Sequence, residues 1–134
     1  MIKGFTASSF DLLHAGHIQM LNDAKAQCDY LIVGLQTDPT IDRPEKNKPI
    51  QSLHERFIQL SAVKYIDQII PYDTEDSLIE LIKLINPDIR IVGEDYRDKP
   101  FTGKDLTPIF YNSRKHNLSS SALRNKLSVR YIHQ

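Results

Sequence analysis

Apolar residues come in short blocks whose period switches back and forth along the chain. Ile2 to Ala7 reads as a first strand. Ile18, Leu21, Ala24 and Cys28 then recur at three- and four-residue intervals, which predicts an amphipathic helix over Ile18 to Gln27. Leu31-Ile32-Val33-Gly34-Leu35 is a continuous apolar run, the pattern of a parallel strand buried on both faces. Ser52-Leu53-His54-Glu55 has the form of a capping box, so a second helix is expected from about Leu53, continued by Phe57, Leu60, Ser61 and Val63-Lys64. Asp67 to Tyr72 reads as a third strand ended by proline. Leu78, Ile79, Leu81, Ile82 and Ile85 form a helical stripe with Glu75 and Asp76 in its first turn, and Asn86-Pro87 stops it. Ile89 to Val92 is the fourth strand and Thr107 to Tyr111 the fifth, and Ala122 to Leu127 looks helical.

Strands alternating with helices predict an α/β fold: a Rossmann-like three-layer sandwich with a five-stranded parallel sheet flanked by helices. The 134 residues suit one domain over 1–134. A formal net charge of zero removes any general attraction to nucleic acid or to an acidic membrane, so basic character must be local. Cys28 is the only cysteine, which excludes an internal disulfide, and its place at the end of the first helix suits a small buried apolar group. No apolar run reaches membrane-spanning length, and Met1-Ile2-Lys3-Gly4 does not begin a signal peptide, so a cytoplasmic protein is expected.

Candidate chemistry gathers where strands hand over to helices. Ser8-Ser9-Phe10-Asp11-Leu12-Leu13-His14-Ala15-Gly16-His17 links the first strand to the first helix. Helix N-termini favour anions, two imidazoles there can meet a phosphate from two sides, and Gly16 permits close approach. The plainer readings are a helix cap with a packed ring, or a zinc pair for which no cysteine or acidic cluster nearby supplies further ligands. Thr37 to Ile50 is a long polar loop carrying Arg43, Lys46 and Lys48, either a solvated loop or a lid that brings a cation onto phosphates. Arg56 lies in the first turn of the second helix, where a cation is disfavoured without an anionic partner. That makes it a ligand-facing candidate or one half of a salt bridge. Gly93-Glu94-Asp95-Tyr96 follows the fourth strand, at the end where ligands bind in open α/β sheets. Arg114 precedes Ser119-Ser120-Ser121, whose hydroxyls and backbone N–H groups at a helix start make a phosphate cradle.

The run Phe10-Asp11-Leu12-Leu13-His14-Ala15-Gly16-His17 resembles the F-D-L-L-H-x-G-H of glycerol-3-phosphate cytidylyltransferases, members of the H-x-G-H nucleotidyltransferase superfamily. It also resembles the adenylyltransferase domains that make ADP-heptose. Arg114, Leu118, Ser119, Ser120 and Ser121 match a second signature, R-T-E-G-I-S-T-T, whereas Lys115, His116 and Asn117 depart from it. Ser8 stands where cytidylyltransferases usually show Gly. The Gly-Glu-Asp-Tyr stretch is similar to a G-D-D-W or G-x-D-Y near the nucleotide in related enzymes.

The resemblance implies transfer of CMP from CTP to a phosphorylated small alcohol such as glycerol-3-phosphate, with release of pyrophosphate. The alternatives are ATP-dependent transfer to a sugar 1-phosphate and a non-catalytic nucleotide sensor. It assigns catalysis to His14, His17, Lys46 and Arg114, with either Lys46 or Lys48 on the triphosphate. Ser8, Ser9, Phe10, Gly16, Lys48, Gly93, Glu94, Asp95, Tyr96, Ser119, Ser120 and Ser121 would line the nucleotide, and Asp11 and Arg56 would face the acceptor or the base. Magnesium bound to the nucleoside triphosphate and a homodimer complete the expectation, with no metal held by the protein itself.

Overall fold

The computed structural model describes residues 1–113. Five parallel strands form one sheet: β1 (Lys3–Ser8), β2 (Tyr30–Gln36), β3 (Gln68–Tyr72), β4 (Ile89–Gly93) and β5 (Ile109–Asn112). Between them run α1 (Ala15–Lys25), α2 (Leu53–Ser61) and α3 (Glu75–Ile85). The strand order is β3-β2-β1-β4-β5. The chain winds outward from β1 through β2 to β3, then crosses to lay β4 on the other side of β1. That reversal makes the gap between the carboxyl ends of β1 and β4 the topological switch point, where open α/β sheets bind ligands.

Both faces of the sheet are covered, as the continuous apolar run of β2 requires. Leu31, Val33 and Leu35 join Phe10, Leu21, Ala24, Leu60 and Ile91 in the core beneath α1 and α2. Ile32 points the other way, into a second core with Phe5, Tyr72, Leu78, Leu81, Ile82 and Ile85 beneath α3. Gly4 is required by close approach: a Cβ there would lie 2.6 Å from Cys28 Sγ. The half-buried Cys28 therefore packs against β1, and burial pushes its thiol pKa up, with Asp67 and Asp29 acting in the same direction and Lys25 against it.

Several element boundaries differ from expectation by one to three residues. α1 begins at Ala15 rather than Ile18, because His14 caps it. α2 ends at Ser61, with Ala62 as its C-cap, and the turn that follows drops Val63 into the core. β3 starts at Gln68, one residue later than expected, and ends at Tyr72 as expected, passing through Pro71, which an edge strand allows. β5 starts at Ile109, two residues later than expected, and extends to Asn112. Asn86 ends α3 in the left-handed conformation at φ 49°, as the Asn-Pro stop suggested. The expected closing helix lies outside the described residues, as do Arg114, Ser119, Ser120 and Ser121.

Candidate active site

Between the end of β1 at Ser8 and the start of α1 at Ala15 the chain has to turn sharply. It does so through two non-glycine residues with positive φ, Phe10 at 48° and Leu12 at 51°. Such conformations cost about 1–3 kcal/mol each and persist only where the surroundings over-determine them. The surroundings here are identifiable. The Phe10 ring is buried in the α1–α2 core and meets the His17 ring edge-on at a centroid distance of 5.8 Å. Asp11 accepts the backbone N–H of Ile50 at 2.8 Å and of Gln51 at 2.9 Å, and the Leu12 N–H returns a bond to Gln51 Oε1 at 2.8 Å.

Arg56 completes the frame. It is 2% exposed and donates to four backbone carbonyls: Gln51 at 3.2 Å, Ser9 at 3.0 Å, Gln36 at 2.6 Å and Thr37 at 2.7 Å. The expectation that Arg56 faces a ligand or pairs with a carboxylate is therefore corrected. A planar fork of five donors matches the carbonyls that the ends of β1 and β2 and the entry to α2 all present at one point. Desolvation lowers its pKa, partly opposed by Asp11 and Asp38, and its charge is solvated by carbonyl dipoles. Asp11 is corrected in the same sense, since both its carboxylate oxygens are engaged by backbone N–H groups. Phe10 likewise serves as a core anchor, with its ring shielded from any nucleotide.

The two histidines form a capping box with each other. His14 is the N-cap of α1, and its Nδ1 accepts the Gly16 N–H at 3.0 Å. His17 Nδ1 accepts the His14 N–H at 3.2 Å. The rings lie 4.0 Å apart, tilted by 31°. Each Nδ1 is thus an acceptor, so each neutral ring carries its proton on Nε2. The cap therefore does not compete with the phosphate role expected of these rings, because it is built with Nδ1 alone and leaves Nε2 out of the helix start. Gly16 takes part through its N–H, which is spent on the cap.

The other expected residues gather at the same edge of the sheet. Ser8 and Ser9 are half-buried at the end of β1. Across the switch point, Gly93 ends β4 and caps a 3-10 turn over Glu94–Tyr96, with Glu94 and Asp95 exposed and Tyr96 half-buried against Phe101. The loop after β2 is fastened at both ends. Asp42 accepts the N–H of Glu75 and Arg43 pairs with Glu75 at 2.6 Å on one side, while Asp11 holds Ile50 and Gln51 on the other. Lys46 and Lys48 sit between these ties, exposed; the Lys46 backbone N–H donates to the Arg43 carbonyl at 2.9 Å, and neither ammonium forms a hydrogen bond or ion pair with a described residue.

Sequence reasoning passed over Asp38, which starts this loop. Thr40 hydrogen bonds hold its carboxyl below the usual range, with Lys48 and Arg56 contributing less. Its position at the carboxyl end of β2 was the available signal. Among the described residues no three His, Cys, Asp or Glu side chains converge into a metal site.

A chain with a helix start built on H-x-G-H at a Rossmann-like switch point matches one family over most of its length. This protein belongs to the Cytidylyltransferase-like family, whose model matches residues 5–126. Within that family of nucleotidyltransferases it is similar to the bifunctional protein HldE of Wolinella succinogenes, at 43% identity over 103 residues, 76% of this chain and 22% of that protein. It is 40% identical to the bifunctional protein HldE of Caulobacter vibrioides over 104 residues, 77% of this chain and 21% of that one. The chain spans about a fifth of the length of these curated relatives. A lipopolysaccharide core biosynthesis protein from Thermoplasma volcanium has a similar structure, with a TM-score of 0.70 and 28% identity over 84% of this chain and 97% of that one. Pantothenate synthetase from Thermus thermophilus, at 16% identity and a TM-score of 0.60 over 98% of this chain and 66% of that one, shares the fold.

These matches correct the expected substrate pair. The similarity to HldE places the weight on the ADP-heptose side of the resemblance and overturns CMP transfer from CTP to a glycerol-3-phosphate-like alcohol. Within this structure the F-D-L-L-H flank shapes the loop and the helix cap, through the buried Phe10 ring, the Asp11 carboxylate, the Leu12 N–H and the His14 ring.

Proposed function

We propose that this chain is an adenylyltransferase unit that joins ATP to a sugar 1-phosphate and releases pyrophosphate. The observation that carries the reading is the 36–43% identity to HldE proteins over about three-quarters of the chain. The likeness to a lipopolysaccharide core biosynthesis protein supports the same branch.

In this reaction a phosphate oxygen of the acceptor attacks the α-phosphorus of ATP in line. A new P–O bond forms, the bond from the α-phosphorus to the oxygen bridging it to the β-phosphorus breaks, and pyrophosphate leaves with its magnesium. The acceptor oxygen is already anionic at neutral pH, so no general base is needed. Catalysis rests on positioning and on stabilising charge at the phosphoryl oxygens. His14 and His17 serve as Nε2–H donors to the transferring and leaving phosphates. Their Nδ1 atoms are fixed by the cap, so these donors need no reorientation during the reaction. Lys46 or Lys48 closes over the triphosphate from the fastened loop. Arg114 and the Ser119–Ser121 run, outside the described residues, take the β- and γ-phosphates. The family resemblance adds a homodimer in the cytoplasm.

Pyrophosphate release in the presence of magnesium tests the reading, with ATP and CTP each crossed with heptose 1-phosphate and glycerol-3-phosphate. Release with ATP and heptose 1-phosphate is expected. Release that requires CTP, or silence with every ATP pair, overturns it.

A further inference from the structure

On the face of the sheet that packs against α3, several polar groups lack partners. Ile32, Gly34 and Gln36 alternate to this face of β2, so Gln36 shares it with Phe5, Tyr72 and the α3 core. Gln36 and Tyr72 are register partners, the last residues of β2 and β3. A Cβ on Gly34 would lie 3.2 Å from the Tyr72 ring and 3.2 Å from Ala7 Cβ, so the ring lies across β2 toward β1. Arg90, the register partner of Phe5, reaches the same region from β4, donates to the Thr102 carbonyl and covers the Phe101 ring at 5.2 Å.

Gln36 is 6% exposed and its Nε2 has no hydrogen-bond partner. Arg90 is 7% exposed and its Nε has none. Arg43 places one guanidinium nitrogen on Glu75, but its buried Nε has no partner. The hydroxyl of Tyr72, itself 7% exposed, hydrogen-bonds no described residue. Native interiors leave few buried polar atoms without partners, and the three nitrogens of Gln36, Arg90 and Arg43 call for an explanation. All of these can donate, and they share one face of the sheet with two guanidiniums and the carboxylate of Glu75. A ligand that completes them carries many acceptor oxygens and negative charge.

The geometry of an in-line reaction says where that ligand belongs. The histidine pair holds the transferring phosphate at the end of β1, with the leaving pyrophosphate over the start of α1. The loop after β4 takes the nucleoside. The nucleophile must approach opposite the leaving group, which leaves the side formed by the ends of β2 and β3.

Resting on the adenylyltransferase reading above, we propose that Gln36, Tyr72 and Arg90, with Arg43, form the recess that binds the hydroxyl groups of a polyhydroxylated sugar phosphate acceptor. A simple phosphorylated alcohol such as glycerol-3-phosphate offers about two hydroxyl groups beyond its phosphate to these side chains, so the set favours a sugar.

Calorimetric titration of heptose 1-phosphate into the chain holding a non-hydrolysable ATP analogue tests the proposal, with inorganic phosphate as the control ligand. Tyr72→Phe deletes one oxygen and keeps the ring that covers Gly34, and Gln36→Leu removes the amide at similar volume. Each variant is expected to bind heptose 1-phosphate about tenfold more weakly and inorganic phosphate as the parent does. Equal heptose 1-phosphate affinity in parent and both variants overturns the proposal, as does a parent that binds the sugar phosphate no better than inorganic phosphate. A parent that binds the sugar phosphate through these residues yet releases no pyrophosphate from ATP retains the recess and loses the adenylyltransferase reading.

Discussion

His17 Nδ1 accepts the backbone N–H of His14, and His14 Nδ1 caps the helix that carries His17. Each ring thus orients the other, and helix start and donor pair are one object. Removing His14 should have two separable effects. His14→Ala loses both the cap, about 1 kcal/mol, and the Nε2–H donor, about a hundredfold or more in turnover. His14→Asn restores a good cap without a donor at the Nε2 position. It should melt within a few degrees of the parent and still lose about a hundredfold in pyrophosphate release. Parent-like turnover in the Asn variant would remove His14 from catalysis.

Arg56 predicts the opposite balance. Arg56→Lys keeps the charge but replaces a fork that satisfies four carbonyls with a single ammonium. The loss should be about 3 kcal/mol, seen as a fall in melting temperature of about 10 °C. Activity should fall through a displaced Ser9–Phe10 turn. A variant that keeps full stability while losing only acceptor affinity would restore the ligand-facing role.

Lys46 and Lys48 stand on the span between two fastened points, and their exposed ammonium groups form no hydrogen bond or ion pair with a described residue. Lys46→Ala and Lys48→Ala should leave the melting temperature unchanged. Whichever residue contacts the triphosphate should raise the KM for ATP at least severalfold when truncated, and the other should do little. Steady-state kinetics at saturating acceptor separates them.

Asp67 supplies a pH dependence. Burial works to raise its pKa, but hydrogen bonds from Lys25 at 2.6 Å and the Leu31 N–H at 2.8 Å outweigh it and hold the carboxyl below its ordinary value. A depressed folded-state pKa adds stability that is present above the unfolded pKa and lost as pH falls through the folded one. The parent should therefore lose stability below about pH 4 more steeply than Asp67→Asn. Melting temperatures between neutral and acid pH check the difference in slope.

The layout of strands and helices was readable because β2 and α3 carry unambiguous periods. The pairing of His14 and His17 at a helix start was readable because they form a local motif. Asp11 and Arg56 were misjudged for a shared physical reason. Their partners at Ile50, Gln51, Gln36 and Ser9 come from other elements and are backbone atoms. Side-chain identities carry no trace of where carbonyls converge. Gln36 and Tyr72 were invisible as a pair because only the β2–β3 register sets them side by side.

Pro71 has a consequence for how the molecule behaves among its copies. The Tyr72 carbonyl faces β2, where it accepts the Thr37 N–H at 2.9 Å, so in a parallel ladder its neighbour Pro71 faces outward from the sheet. The outer rim of β3 thus presents a ring where a donor would stand. A passing extended chain that tried to dock there would find its ladder interrupted. The residue that seemed to end a strand instead guards it against growth into an intermolecular sheet.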